Sequence, residues 1–206
     1  MVDPKIITHP HGDRSFTSTL YYGADVQESL KTLPDQSVQC AVTSPPYWGL
    51  RSYLPEGDPL KGNEIGAEST PEEYVTAMVG VFREVRRVLR DDGTLWLNLG
   101  DSYVGPPRGN KNGWVGSGLN GIQSKTYQAK LNGGTATTID KTKLVGLKNK
   151  DLSGIPWMVA FALRADGWYL RSDVIWAKGS CMPEAVTDRP TRSHEYVGRR
   201  ATSRTV

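Results

Sequence analysis

A capped helix running straight into an apolar strand, Thr70 to Tyr103, constrains this chain more than any other feature. In "STPEEY", Thr70 suits the N-cap, Pro71 the first helical position, and Glu73 closes a capping box. Tyr74, Met78, Val81, Phe82, Val85 and Leu89 then recur at helical spacing, and Gly93 is expected to end the run. "TLWLNLGDSY" follows at once as a strand. Ahead of the helix, "SVQCAVTS" is β-branched and nearly all apolar from Val38 to Thr43, as a central strand buried on both faces would be. Strand, helix and strand in that order make a parallel unit.

The flanking elements agree. "TLYYGAD", Thr19 to Asp25, reads as a short strand, and "VQESLKTLP" as a short helix closed by Pro34. "SGIPWMVAFALRADG" is a helix with Ile155, Val159, Ala162 and Leu163 on one face, and "WYLRSDVIWAK" is a strand. The first dozen residues read as a frayed arm, its His9 and His11 exposed to solvent rather than holding a metal. "CMPEAVTDRPTRSHEYVGRRATSRTV" shows no clear period. The alternation predicts an α/β doubly wound sheet around one core, a single domain over residues 1–206.

At 206 residues the chain is long enough to bury that core, and its mean hydropathy of −0.46 predicts a soluble globular protein. No apolar run is long enough to span a bilayer, and "MVDPKIITHPHGDRS" has no apolar signal region. Cys40 and Cys181 make neither a disulfide framework nor a metal cluster, so a reducing cytoplasm is expected. The net charge of +3 is unevenly spread: residues 105–150 hold eight Lys/Arg against Asp140, a segment of +7 on a body of −4. Such a patch suits a polyanion partner, with a solvated, disordered loop as the other reading. Its nine glycines carry no sustained period.

Two consecutive prolines close the strand Val38–Thr43 in "VTSPPYWGLRSY". They force a stiff, extended exit at a strand's carboxyl end, where open α/β sheets bind ligands. Ser44 brings a hydroxyl, the Ser44 and Pro45 carbonyls bring acceptors, and Tyr47 an aromatic face. That set suits a planar group carrying an NH₂, such as a nucleobase amine. Holding both N–H bonds out of the ring plane would free the nitrogen lone pair to attack a methyl group.

"VTSPPYWGLRSY" resembles the catalytic motif of DNA amino-methyltransferases, which methylate cytosine N4 or adenine N6 with S-adenosylmethionine. The similarity extends from about Leu20 to Val197, through "LYYGADVQESLKTLPDQSV", "EYVTAMVGVFREVRRVLRDDGTLWLNLGDSY", "LSGIPWMVAFALRADGWYLRSDVIWAK" and "MPEAVTDRPTRSHEYV". It implies a Rossmann-like methyltransferase sheet, with Ser44, Pro45, Pro46 and Tyr47 catalytic. A serine at the first motif position resembles the cytosine-N4 branch; adenine N6 is the alternative base. Asp25 matches an acidic residue near the cofactor, and a plain helix cap is its other reading. Trp48, Arg51 and Tyr53 are placed at the target-base pocket, with a core role the other reading of Trp48. Double-stranded DNA is the implied partner, its base leaving the helix to be reached. Lys141, Lys143, Lys148 and Lys150 of the basic segment would grip phosphates, which fix position rather than sequence.

The chain departs from the family in two places. The glycine-rich F-x-G-x-G cofactor loop would follow the last similar segment in this permuted order, so the sheet is expected to be C-terminally incomplete, with a missing half. "WVGSGLNG", Trp114 to Gly121, fits by letter but follows no strand and opens no helix, so it does not count as that loop. After "SHEYV", an apolar strand gives way to the polar, basic "GRRATSRTV". A DNA-binding remnant without turnover is therefore the second expectation.

Overall fold

The computed structural model describes residues 4–55, 57–105, 135, 136, 139, 141, 144–179 and 187–203. Strands β3 (Val38–Thr43), β5 (Leu89–Leu99), β8 (His194–Ala201) and β7 (Tyr169–Ala177) form one sheet in the order β3-β5-β8-β7. β3 and β5 are parallel, and β8 is antiparallel to both β5 and β7. So β3, β5 and β7 all end at the same edge of the sheet, where β8 begins. A two-residue pair, β4 (Arg51–Ser52) with β6 (Thr135–Ala136), lies outside this sheet.

Helix α2 (Pro71–Val88) begins as expected: the Thr70 hydroxyl accepts from the Glu73 amide, and the Glu73 carboxylate accepts from the Thr70 amide. Such a cap contributes about 1 kcal/mol. Tyr74, Met78 and Phe82 of α2 meet Ile155, Val159 and Leu163 of α3 (Ile155–Ala165) over Leu95, Leu97 and Leu99 of β5. Each such side chain, fully buried, contributes about 1.5–3 kcal/mol. α1 (Val26–Lys31) is tied to α2 by Arg87, whose guanidinium donates to the carbonyls of Leu30 and Leu33.

Five expectations are corrected. The N-terminal arm is a hairpin of β1 (Lys5–His11) and β2 (Arg14–Leu20), turning on Gly12 at φ +57°. His9 stacks on Phe16 at 4.9 Å across it, and the strand predicted over Thr19–Asp25 stops at Leu20. Gly93 does not end α2; the helix stops at Val88 and Gly93 lies inside β5, beside an irregular pairing with β3. The unpatterned tail contains β8, whose Arg199 and Arg200 break the apolar signal while continuing the ladder.

The last correction concerns the sheet itself. Among the described residues β3 is an edge strand rather than a central one, and Val42 is 78% exposed. The described helices gather on the face of Leu95 and Leu97. The other face presents Val42 beside Trp96, Val174 beside Val197, and Trp176, which is 52% exposed. The described part is thus clad on one face and not doubly wound.

Candidate active site

The carboxyl ends of β3, β5 and β7 bring together what the sequence scatters. Ser44 to Tyr47 leave β3, Asn98 to Asp101 close β5, Lys178 follows β7, and Glu195 stands at the start of β8. The Tyr47 hydroxyl is the meeting point. It lies 3.2 Å from Ser44 Oγ, 3.2 Å from Asn98 Nδ2 and 3.3 Å from Glu195 Oε2. Asn98 Nδ2 also donates to Glu195 Oε2 at 3.0 Å, and Lys178 Nζ pairs with Glu195 Oε1.

The charges follow from these contacts. Burial pushes the Tyr47 phenol above its ordinary range; the hydrogen bond from Ser44 pulls it partway back, and the negative Glu195 pushes it up again. The phenol therefore stays protonated. Burial would also raise Glu195, but hydrogen bonds from Lys178 and Asn98 outweigh it, and the carboxyl ends below its usual range.

The Pro46 carbonyl accepts from the Tyr74 hydroxyl at 2.9 Å, pinning the motif to α2. Ser44 itself is exposed, and Tyr47 is half-buried. Against the Tyr47 ring lies Gly100, where an added Cβ would fall 2.3 Å from Tyr47 Cε2.

The remaining residues singled out in the sequence fall in different places. Trp48 is buried to 1% and donates from its indole to the Glu68 carbonyl at 2.9 Å, so it belongs to the core and not to an open pocket. Arg51 is exposed on β4, and Tyr53 is 47% exposed with its amide held by Glu64. Asp25 caps α1, accepting from the amides of Gln27 at 2.8 Å and Glu28 at 3.1 Å. Lys141 is the correction among the phosphate-gripping cations: it is 6% exposed, with Nζ 4.4 Å from the Trp48 ring centroid and 2.7 Å from Ser102 Oγ. Its aliphatic stem covers the tryptophan, as long cationic side chains do over apolar surface. Lys148 is exposed, and Lys150 is exposed and paired with Asp188 at 2.5 Å. Lys143, Cys181 and "WVGSGLNG" lie outside the described residues.

Comparison with known proteins decides the family. The model of the N6/N4 type described as DNA methylase matches residues 38–199, the span that holds every residue of this cluster. The chain belongs to the N6/N4 DNA methylases. It is 47% identical over 175 residues to the type II methyltransferase M.SmaI of Serratia marcescens, covering 84% of this chain and 52% of that protein. To M.XycI of Xanthomonas campestris pv. cyanopsidis it is 48% identical over 182 residues, 87% of this chain and 53% of that one. This methylase chain thus spans about half the length of the relatives it matches. The solved cytosine-N4-specific PvuII DNA methyltransferase shares its fold at a TM-score of 0.51 and 16% identity, over 87% of this chain and 47% of the other.

Sequence reasoning about the methylase missed Asp101, Asn98, Glu195 and Gly100. Asp101 takes the amides of Ser102 at 2.9 Å, Gly154 at 3.0 Å and Ile155 at 3.2 Å, and so caps α3 from a distant loop. Burial holds its carboxyl above the usual range despite those three donors. One signal was available: Asn98, Gly100 and Asp101 stand together in "NLGDSY", polar and small residues at the end of a buried strand.

Proposed function

We propose that this chain forms the acceptor-base side of a DNA methylase that transfers a methyl group from S-adenosylmethionine to an exocyclic amine, cytosine N4 first among them. One observation carries it: a solvent-facing Ser44 hydroxyl, fixed by Tyr47 at the carboxyl end of β3, beside a proline-stiffened exit. The serine at the first motif position favours cytosine, and the similarity in fold to a cytosine-N4-specific enzyme is in keeping with it.

The chemistry asked of these residues is modest. A base amine is a weak nucleophile because its lone pair is shared with the ring. Ser44 Oγ and the carbonyls beside it would hold the two N–H bonds out of plane, which localises the lone pair. As the methyl passed from the cofactor's sulfur to the nitrogen, the amine would shed one proton to the solvent that reaches Ser44. S-adenosylmethionine, when bound, supplies only the electrophilic methyl. Asp25 is the described residue proposed for its side of the site, with a carboxylate already engaged in capping α1. Lys148 and Lys150 would contact phosphates.

The test uses tritiated S-adenosylmethionine and duplex DNA, with the methylated nucleoside identified. Ser44→Ala and Tyr47→Ala should abolish transfer and leave DNA retention in a gel shift nearly unchanged. N4-methylcytosine is the expected product; N6-methyladenine would reassign the base. Equal loss of transfer and of DNA retention would count against the pocket.

A further inference from the structure

We infer that Glu195 is a positioning residue that sets the direction of the hydrogen-bond chain through Tyr47 to Ser44, so that Ser44 turns a lone pair and not a proton toward the incoming amine. The inference rests on the methylase reading of the site and adds to it a role for a residue 148 positions away from Tyr47 in the chain.

The direction follows from which groups can donate. An ionised carboxylate only accepts, so the single Tyr47 proton must go to Glu195 Oε2, 3.3 Å away. Lys178 on Oε1 keeps that carboxylate ionised. Asn98 must turn its NH₂ to the same carboxylate oxygen, 3.0 Å away, because its carbonyl there would set two acceptors against each other. The same Nδ2 donates to Tyr47 Oη at 3.2 Å and fills one of its lone pairs. Ser44 Oγ, 3.2 Å from Tyr47 Oη, can then only donate. Its one proton is committed inward, and only acceptor capacity faces the solvent side. An amine with two N–H bonds requires that polarity. Without the Glu195 charge, Tyr47 could donate to Ser44 instead, and Ser44 would offer its proton to the amine.

Among the described residues, the charged and titratable groups around the Tyr47 hydroxyl are Glu195 and Lys178, with Tyr74 behind the motif. This allows a test that does not depend on turnover. With carbon-13 tyrosine, Tyr47→Phe assigns the Tyr47 signal in the 206-residue chain. Glu195→Gln should lower the Tyr47 titration midpoint, and Lys178→Met should raise it. An unchanged midpoint in both variants would overturn the chain of bonds.

Kinetics then test its consequence. Glu195→Gln should cut kcat by roughly tenfold, less than the loss from removing a donor that touches the reacting atoms. KM for DNA should hold. In a Tyr47→Phe background the same substitution should cost nothing more, and Glu195→Asp should restore part of the rate. Losses that simply multiply would mean Glu195 acts apart from Tyr47, and would overturn the positioning role. A wild-type chain without methyl transfer would count against the proposed activity alone, because the tyrosine titration still decides whether Glu195 governs Tyr47.

Discussion

The Tyr47 ring lies so close to Gly100 that a methyl group at residue 100 would sit 2.3 Å from Cε2 and 2.6 Å from Cδ2. No side chain fits there while the ring keeps its place. Because the Tyr47 hydroxyl is also held by Ser44, Asn98 and Glu195, the ring cannot move away without straining those bonds. We expect Gly100→Ala to destabilise the fold by about 1–3 kcal/mol through overpacking. It should also lower methyl transfer beyond what the loss of folded protein explains. Urea denaturation measures the first effect and tritium incorporation the second; a variant with native stability and rate would show that the contact relaxes freely.

Two kinds of lysine emerge from one basic segment, and they should behave differently. Lys141 is buried over Trp48, and its stem occupies the space beside Gly49, where φ is +61° and an added Cβ would fall 2.6 Å from Lys141 Cε. Lys141→Gln should therefore lower the melting temperature and leave the salt dependence of DNA binding unchanged. Lys148 and Lys150 are exposed. Replacing both by Gln should spare stability and reduce the slope of log affinity against log salt by roughly two. Fluorescence anisotropy with duplex DNA at several salt concentrations separates the two groups. The reverse pattern would return Lys141 to the DNA face.

How much of this could be read in advance depends on the range of each interaction. The β3 bounds, the Thr70 cap and the α3 face are local patterns; all three stand as the residues implied, except that α3 buries Ala160 rather than Ala162. So does the motif at the strand's end. Glu195 and Asp101 were not legible because their partners are set by the sheet: β8 must run antiparallel beside β5 before Glu195 reaches Tyr47. β8 was itself hidden, since Arg199 lies over Trp96 and Arg200 is buried where an apolar residue would have marked a strand. The hairpin of residues 5–20 carries Pro10 inside a strand, which mutes its pattern.

Arg200 is the weak point of the core. It is 2% exposed, and among the described residues its Nε has no partner and its Nη1 makes a long contact of 3.5 Å to the Gly198 carbonyl. Burial pulls its guanidinium down to about 10. A buried cation with no carboxylate beside it among the described residues costs stability, so Arg200→Leu should stabilise the chain by about 1–4 kcal/mol. The pH dependence has a definite sign. Between a folded value near 10 and the higher unfolded one, the unfolded chain binds more protons, so wild-type stability should gain from this group as pH rises through 10. Arg200→Leu should lack that gain. Urea midpoints at neutral and alkaline pH test both statements, and a destabilised leucine variant would mean the arginine finds compensation in the fold.

The open side of the sheet sets the chain's behaviour in solution. β3 pairs with β5 alone among the described residues, so its other side offers unpaired N–H and C=O groups. Val42, at 78% exposure, and Trp176, at 52%, add apolar surface on the face away from the helices. No lysine lies on this strand to blunt it; Val38–Thr43 reads VQCAVT. An apolar edge of this kind templates strand pairing with another copy. We therefore expect the 206-residue chain to self-associate at micromolar concentration, with light scattering that rises with protein and barely responds to salt. Val42→Lys places a charge on that edge without touching the helix-side core, and should shift the population toward monomer. Association unchanged by Val42→Lys but abolished by high salt would locate it on the basic segment instead.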